Sequence, residues 1–170
     1  MRPEFILIFA TLVLRCGELW THRLNRRFLL KHGAKETAPR LVWSFLGIEW
    51  LSIVLMISEW LIFLRPVDPL QRHIAVVIIF AAFLVRLWVR SSLGRMWNLG
   101  LLYVPGVERI EKGPYRYFAH PDYLARFFEF LGLGLFFGAY FSFGIYLGLS
   151  LILMPRLMVL EKRQLRLLSN

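Results

Sequence analysis

Two short segments in the second half of the chain carry the residues best suited to chemistry. The first is Gly113-Pro114-Tyr115-Arg116-Tyr117, and the second, after two further residues, is His120-Pro121-Asp122-Tyr123-Leu124. Histidine exchanges protons near neutral pH, and tyrosine rings bind cations on their faces. A Gly-Pro pair alone is a turn signal, and a histidine before a helix-starting proline alone is more often a structural cap. Their joint spacing favours a functional site.

The composition indicates a membrane protein. Of 170 residues, 58% are hydrophobic and 19% are charged, and the mean hydropathy is +0.56. Soluble domains average about 45–50% apolar and about 25% charged residues. Residues 130–154 contain no charged side chain. The net charge of +10 would suggest nucleic acid in a soluble protein, but here the basic residues flank apolar runs, so we expect no nucleic-acid partner.

Five apolar segments predict an all-α, polytopic membrane fold. The first three cover residues 3–24, 41–64 and 73–89, the fourth begins near His120-Pro121, and the fifth begins near Ser142 and continues past Arg156. Residues 130–154 also fit one crossing, since 25 helical residues span about 37 Å. The distribution of basic residues decides between these alternatives.

Sixteen lysines and arginines flank one set of segment ends, and three flank the opposite set. The positive-inside rule then places the N-terminus outside and the C-terminus inside, which requires an odd number of crossings. A hairpin turning near Gly138-Ala139-Tyr140 meets this condition. We expect a single domain, residues 1–170, with three helices in residues 1–90 and the motif region with helices four and five in residues 91–170.

Glycines and charges within the spans suggest how the helices pack. Gly134/Gly138 and Gly144/Gly148 have the spacing of close helix contacts. Charges inside a membrane need partners, so each of Glu49 and Glu59 is expected to meet an arginine of another helix. The fourth helix is expected to present an Arg126–Glu129 pair opposite His120. The four histidines show no metal-ligand spacing with carboxylates, so no metal is expected.

The motifs resemble those of a known family. Together with Leu93-Gly94-Arg95-Met96-Trp97-Asn98, the two segments resemble the isoprenylcysteine carboxyl methyltransferase and phospholipid methyltransferase family of integral membrane enzymes. The likeness covers roughly residues 90–168. It implies a methyltransferase that takes S-adenosylmethionine (the cofactor) between the cytosolic ends of the last two helices. It also implies a lipophilic acceptor that enters from the bilayer.

The resemblance also implies roles for single residues. The cofactor would be bound by His120, Tyr123, Gly113, Pro114, Tyr115, Leu101, Leu102, Tyr103, Val104 and Glu161. Arg156 would face the acceptor. A hydroxyl acceptor would need a base, for which His120 or Glu129 could serve, whereas a carboxylate acceptor needs none.

The pattern departs from the family in two places, and alternatives stay open. Ala119 stands where an arginine is usual before His-Pro. If Arg156 is aligned with the family's arginine, Leu160 and Glu161 stand where two glutamates are usual. If Glu161 is aligned with the first glutamate, the arginine is lost and Lys162 stands at the second. A membrane sterol-type reductase using NADPH and a non-catalytic relative are the alternative functions. The acceptor could be a prenylcysteine, a phospholipid amine or a phenolic or pyrone lipid. Tyr123-Leu124-Ala125 with Glu129 looks most like enzymes that methylate alkylresorcinols or alkylpyrones, in a bacterial inner membrane.

Overall fold

The computed structural model describes residues 3–105 and 111–168, without the side chains of residues 103, 162 and 164–168. Five helices dominate: α1 Pro3–Lys31, α2 Pro39–Phe63, α3 Pro69–Leu93, α4 Pro121–Phe137 and α5 Tyr140–Leu168. Two 3₁₀ turns, Gly94–Met96 and Gly113–Arg116, lie between α3 and α4. Strands β1 (Lys35–Thr37) and β2 (Leu101–Tyr103) pair antiparallel, with Glu36 opposite Leu102. The all-α fold is confirmed.

Prolines and one aspartate set where the helices begin. Pro39, Pro69 and Pro121 each occupy the first turn of a helix, where the missing N–H would have had no partner. Asp68 accepts hydrogen bonds from the backbone N–H groups of Leu70 and Gln71, at 2.8 and 3.2 Å. This cap explains why α3 begins four residues before the predicted start at residue 73.

Four helices, α1, α2, α3 and α5, are long and apolar enough to cross a membrane. With 17 residues, α4 is about 26 Å long, slightly less than a hydrocarbon core of about 30 Å. The membrane fold is therefore confirmed. The count of five crossings and the orientation with the N-terminus outside stay predictions.

The connections between the helices gather at two opposite ends of the bundle. Helix α4 ends at Gly138, whose φ of +64° suits glycine, and α5 begins two residues later, so the predicted hairpin is confirmed. After α2, Arg65 donates a hydrogen bond to the Gly138 carbonyl at 3.1 Å. The pairing of β1 with β2 joins the segments after α1 and α3 at the other end. We call these the hairpin end and the strand end.

Glycines allow α4 to pack closely on its neighbours. A Cβ on Gly132 would lie 2.6 Å from Ile79 Cγ1, and one on Gly134 would lie 2.9 Å from Phe143 Cβ. A Cβ on Gly144 or Gly148 would meet no atom of the described residues within 4 Å. The prediction that this second pair forms a close helix contact is wrong, because these two glycines face open space.

Two predicted ion pairs also need correction. Glu49 meets Arg126 of another helix, as predicted, at 2.7 Å. Glu59 instead pairs with Arg65, which follows its own helix. The prediction of an Arg126–Glu129 pair is wrong, because the two side chains contact different partners. Arg126 contacts Glu49 and Asp122, and Glu129 contacts Arg86 at 2.5 Å and Arg15 at 3.2 Å.

Candidate active site

A polar cavity of about 80 Å³ lies at the strand end of the bundle, beside β2. Residues of both motif segments, of helices α2 and α5 and of the segment after α3 line it. The residues that line it are Val42, Phe45, Asn98, Leu99, Gly100, Leu101, Tyr115, Asp122, Tyr123, Arg126, Leu157 and Glu161. The cavity therefore joins parts of the chain that are far apart in sequence.

His120 links the start of α4 to α5. Its Nδ1 lies 3.1 Å from Glu161 Oε2, so the carboxylate holds the imidazole in one orientation. Its Nε2 is buried and has no hydrogen-bond partner among the described residues. His120 does not itself line the cavity, but it contacts Glu161 and Tyr123, which do. Buried polar atoms are nearly always paired, so this ring nitrogen is available to a ligand atom.

Aromatic rings form one side of the site. The Tyr123 ring lies 5.8 Å from the His120 ring, measured between centroids, and 6.3 Å from the Phe45 ring in an edge-to-face contact. Tyr115 reaches the same cavity from the 3₁₀ turn. These rings suit a ligand that carries a positive charge.

The opposite wall, residues 98–101, is held in place by α1. His22 Nδ1 accepts a hydrogen bond from the Leu99 backbone N–H at 3.2 Å, and Asn25 Nδ2 donates to the Trp97 carbonyl at 2.7 Å. The Asn98 side chain accepts from the Gly100 N–H at 2.9 Å. The N-terminal half of the chain therefore positions a wall of the site without carrying either motif.

Charged side chains close the cavity toward the membrane. Asp122 and Arg126 line it, and Arg126 donates to Asp122 at 3.0 Å and to Glu49 at 2.7 Å. They belong to a buried group from four helices that we call the charge cluster. It comprises Arg15, Glu18, Glu49, Arg86, Arg90, Asp122, Arg126 and Glu129.

The remaining candidates for cofactor binding, in and after β2, differ in whether they line the cavity. Leu101 is buried and lines the cavity, while Leu102 and Val104 are half-buried outside the lining set. The Tyr103 side chain lies outside the described residues.

The Gly113-Pro114 turn packs on α3 instead of lining the cavity. A Cβ on Gly113 would lie 1.9 Å from Ser92 Oγ, and the glycine has a φ of +62°, which other residues rarely adopt. Pro114 beside it is buried. Both residues therefore fix the turn that carries Tyr115, which does line the cavity.

Two candidates for catalysis are not brought to the cavity. Arg156 is exposed, and its neighbour Leu157 faces the site instead. Glu129 follows His120 by nine residues, about 13 Å of helix, and is held by Arg86 and Arg15. Of the named catalytic candidates, the structure brings His120 into contact with residues that line the cavity.

Several residues of the site were not singled out from the sequence. Val42 and Phe45 look like any apolar residue of a span, so no sequence signal marks them. Asn98 and Asp122 did stand inside the motif segments, and their polarity next to apolar runs was a usable signal. Within residues 3–105 and 111–168, no group of three or more His, Cys, Asp or Glu could hold a metal ion.

Comparison with known proteins identifies the family of the chain. The model of the isoprenylcysteine carboxyl methyltransferase (ICMT) family matches residues 74–166, which include both motif segments and Glu161. Uncharacterized protein YpbQ of Bacillus subtilis (strain 168) is 33% identical over 136 residues, 80% of each chain. No solved structure matches the chain. The protein therefore belongs to the isoprenylcysteine carboxyl methyltransferase family of membrane methyltransferases.

Proposed function

We propose that this protein transfers a methyl group from S-adenosylmethionine to a lipophilic acceptor at the cytosolic face of a bacterial inner membrane. The observation that supports this most directly is the group formed by His120, Glu161, Tyr115 and Tyr123 at the end of an apolar helix bundle. The strand end of that bundle is also its strongly basic end, which is the cytosolic end under the positive-inside rule.

The residues around the cavity fit the chemical groups of the cofactor. A sulfonium cation suits the faces of Tyr115 and Tyr123, and the Glu161 carboxylate suits the amino or ribose groups. His120 Nε2 has no hydrogen-bond partner in residues 3–105 and 111–168 and is available to a polar ligand atom. Ligand pockets usually measure about 300–1,000 Å³, more than this cavity. Binding therefore has to displace side chains at the rim, where Glu161 is half-buried.

The chemistry that S-adenosylmethionine supplies when bound is an electrophilic methyl group. The protein's contribution is to hold the acceptor oxygen about 3–3.5 Å from that carbon, in line with the bond that breaks. A hydroxyl acceptor also loses its proton, to a base within hydrogen-bond reach of it. Glu161, against His120 Nδ1, keeps the imidazole oriented so that Nε2 can contact a polar atom of the cofactor. Arg156 is exposed beside Leu157 and does not line the cavity, so we assign it no contact with the cofactor.

The cofactor can be tested without knowing the acceptor. Calorimetric titration of the detergent-purified protein with S-adenosylhomocysteine should show binding, and His120→Ala should weaken it by about tenfold or more, because a charge-assisted contact is lost. His32→Ala is the matched control, since His32 is exposed and its ring contacts the Phe28 carbonyl of its own helix. It should bind like the unmodified protein.

Other outcomes of the titration would contradict the proposal. A folded protein that does not bind S-adenosylhomocysteine is not a methyltransferase, and one that binds NADPH instead is a reductase. With binding established, transfer of a radiolabelled methyl group from the cofactor into the organic phase of a bacterial lipid extract would identify the acceptor class.

A further inference from the structure

A second cavity lies between α1 and α3, on the other side of the charge cluster from the polar cavity. It has a volume of about 240 Å³, and we call it the α1–α3 groove. Its walls are apolar over most of its length, with Leu7, Ala10 and Leu14 on α1 and Val76, Phe80 and Phe83 on α3. At the strand end it is closed by Glu18, Arg86, Arg90 and Glu129.

The shape of this groove suits a hydrocarbon chain with a polar head. Residues 7–14 of α1 and residues 76–83 of α3 each span about 10 Å along their helix. Both segments run toward the charged end of the groove. In a membrane-spanning bundle the surroundings of such a groove are lipid. A chain therefore enters sideways, with its head at the charge cluster.

A second apolar groove, between α3 and α4, provides a comparison. It is larger, about 330 Å³, and is bounded by residues such as Ala81 and Val85 of α3 and Leu124 and Phe128 of α4. None of the residues that line it is charged. It can accept an acyl chain but has nothing to orient a head group, whereas the α1–α3 groove does.

Unpartnered atoms mark the place for the head group. Arg86 lines the α1–α3 groove, Asp122 lines the polar cavity, and Arg86 Nε lies 3.7 Å from Asp122 Oδ1. This distance is too long for a hydrogen bond, and both atoms lack a partner among the described residues although the Arg86 side chain is only 6% exposed. The Arg86–Asp122 pair is therefore the boundary between the groove and the cavity.

The charge balance decides what kind of head fits there. The charge cluster contains four arginines and four carboxylates, so it is neutral as a whole. A carboxylate or phosphate head would add an uncompensated charge to a buried site, which is costly. A hydroxyl can accept a hydrogen bond from Arg86 Nε and donate one to Asp122 Oδ1 as the two side chains move apart.

From these observations we infer that the α1–α3 groove binds the hydrocarbon chain of the methyl acceptor and that its head is an uncharged hydroxyl held between Arg86 and Asp122. The identification of this lipid as the acceptor rests on the proposed function. The head then lies at the wall of the cavity where the cofactor is proposed to bind.

Photocrosslinking tests where the chain binds. The probe is a long-chain alkylphenol with a diazirine in the chain, added to the detergent-purified full-length protein and mapped by mass spectrometry. Labels are expected in residues 7–14 and 76–83. The methyl ether and the carboxylic acid of the same chain should compete about fivefold to tenfold less well than the phenol, because they lose hydrogen bonds or add a charge. Equal competition by the acid would overturn the neutral head.

A pair of matched variants tests the groove itself. Ala10→Trp fills the α1–α3 groove and should reduce labelling at least about fivefold, while Ala81→Trp on the exposed α3–α4 groove should leave it unchanged. Labelling on α4, or labelling blocked by the second variant alone, would overturn the inference.

The S-adenosylhomocysteine titration separates the two proposals. If the cofactor binds and the labels lie elsewhere, this inference alone fails. If the labels lie as expected and no cofactor binds, the proposed function fails.

Discussion

Two buried glutamates of α2, ten residues apart, have very different surroundings. Glu59, at the hairpin end, accepts hydrogen bonds from the Ser142 N–H at 2.8 Å, from the Ser142 hydroxyl at 2.7 Å and from Arg65 at 3.1 Å. Glu49, at the strand end, uses one oxygen for Arg126 and Arg15, and its Oε1 has no hydrogen-bond partner within the described part of the chain. Both oxygens of the Glu59 carboxylate accept hydrogen bonds, whereas only one oxygen of the Glu49 carboxylate does so within that part.

The same difference extends beyond these two residues. Of the twelve buried side-chain nitrogen and oxygen atoms without a hydrogen bond in the described residues, eight belong to His120 or the charge cluster. Two of these eight, Arg15 Nη2 and Arg86 Nη2, lie within ion-pair distance of Glu129 and Glu18, which leaves six without a close partner in that part of the chain, Arg86 Nε and Asp122 Oδ1 among them at 3.7 Å from each other. Unpartnered buried polar atoms are costly. They are expected where a ligand completes the hydrogen bonding, and charged groups inside a membrane mark function by default. The hairpin end therefore holds the bundle together, and the strand end is arranged for ligands.

Glu49→Gln should have the largest effect, because it leaves Arg126 and Arg15 short of a counter-charge inside the membrane. Removing one partner of a buried ion pair costs about 3–5 kcal/mol. Since Arg126 lines the cavity, we also expect S-adenosylhomocysteine to bind about tenfold more weakly. Thermal unfolding in detergent and calorimetry measure the two effects. Cofactor affinity equal to that of the unmodified protein would show that the charge cluster does not contribute to cofactor binding.

Glu59→Gln should have a smaller effect, confined to stability. An NH2 group, which donates, replaces one carboxylate oxygen, so the hydrogen bonds that this oxygen accepts from Ser142 or Arg65 are lost, at a cost of about 1–3 kcal/mol. The folded fraction should bind S-adenosylhomocysteine with unchanged affinity, which calorimetry below the unfolding transition would establish. A loss of affinity comparable to that of Glu49→Gln would abolish the distinction between the two ends.

His22→Ala removes the acceptor for the Leu99 N–H and should weaken cofactor binding about fivefold, the effect of one lost hydrogen bond. His22→Gln retains an acceptor oxygen at this position and should recover most of the affinity. The KM for the acceptor should not change in either variant, because the wall that His22 supports faces the cofactor cavity. An equal loss in both variants would show that His22 acts through packing alone.

Arg156→Ala should have the smallest effect on cofactor binding, because Arg156 is exposed and does not line the cavity. We expect the S-adenosylhomocysteine affinity to stay within about twofold, which is less than one hydrogen bond contributes. The acceptor KM should also stay unchanged in steady-state assays, because no residue of α5 is among those that line the groove proposed for the acceptor. A marked loss of cofactor affinity would instead place Arg156 at the cofactor.

The sequence alone determined the helical membrane fold, the hairpin at Gly138 and the family. Each depends on local order along the chain: uninterrupted apolar runs, prolines at helix starts, a glycine between two apolar runs, and two motif segments separated by two residues. Such features can be recognised before any tertiary contact is known, because their physical causes act within a few residues.

Only the tertiary structure decided which residues meet. It paired His120 with Glu161, 41 positions later, placed Val42 and Phe45 in the site, and divided the charged residues of α4 between different helices. Helical spacing predicts the face on which a side chain lies but not the neighbour across from it. That neighbour depends on how five helices pack together, so the separation of the cavity from the α1–α3 groove could not be predicted from the sequence.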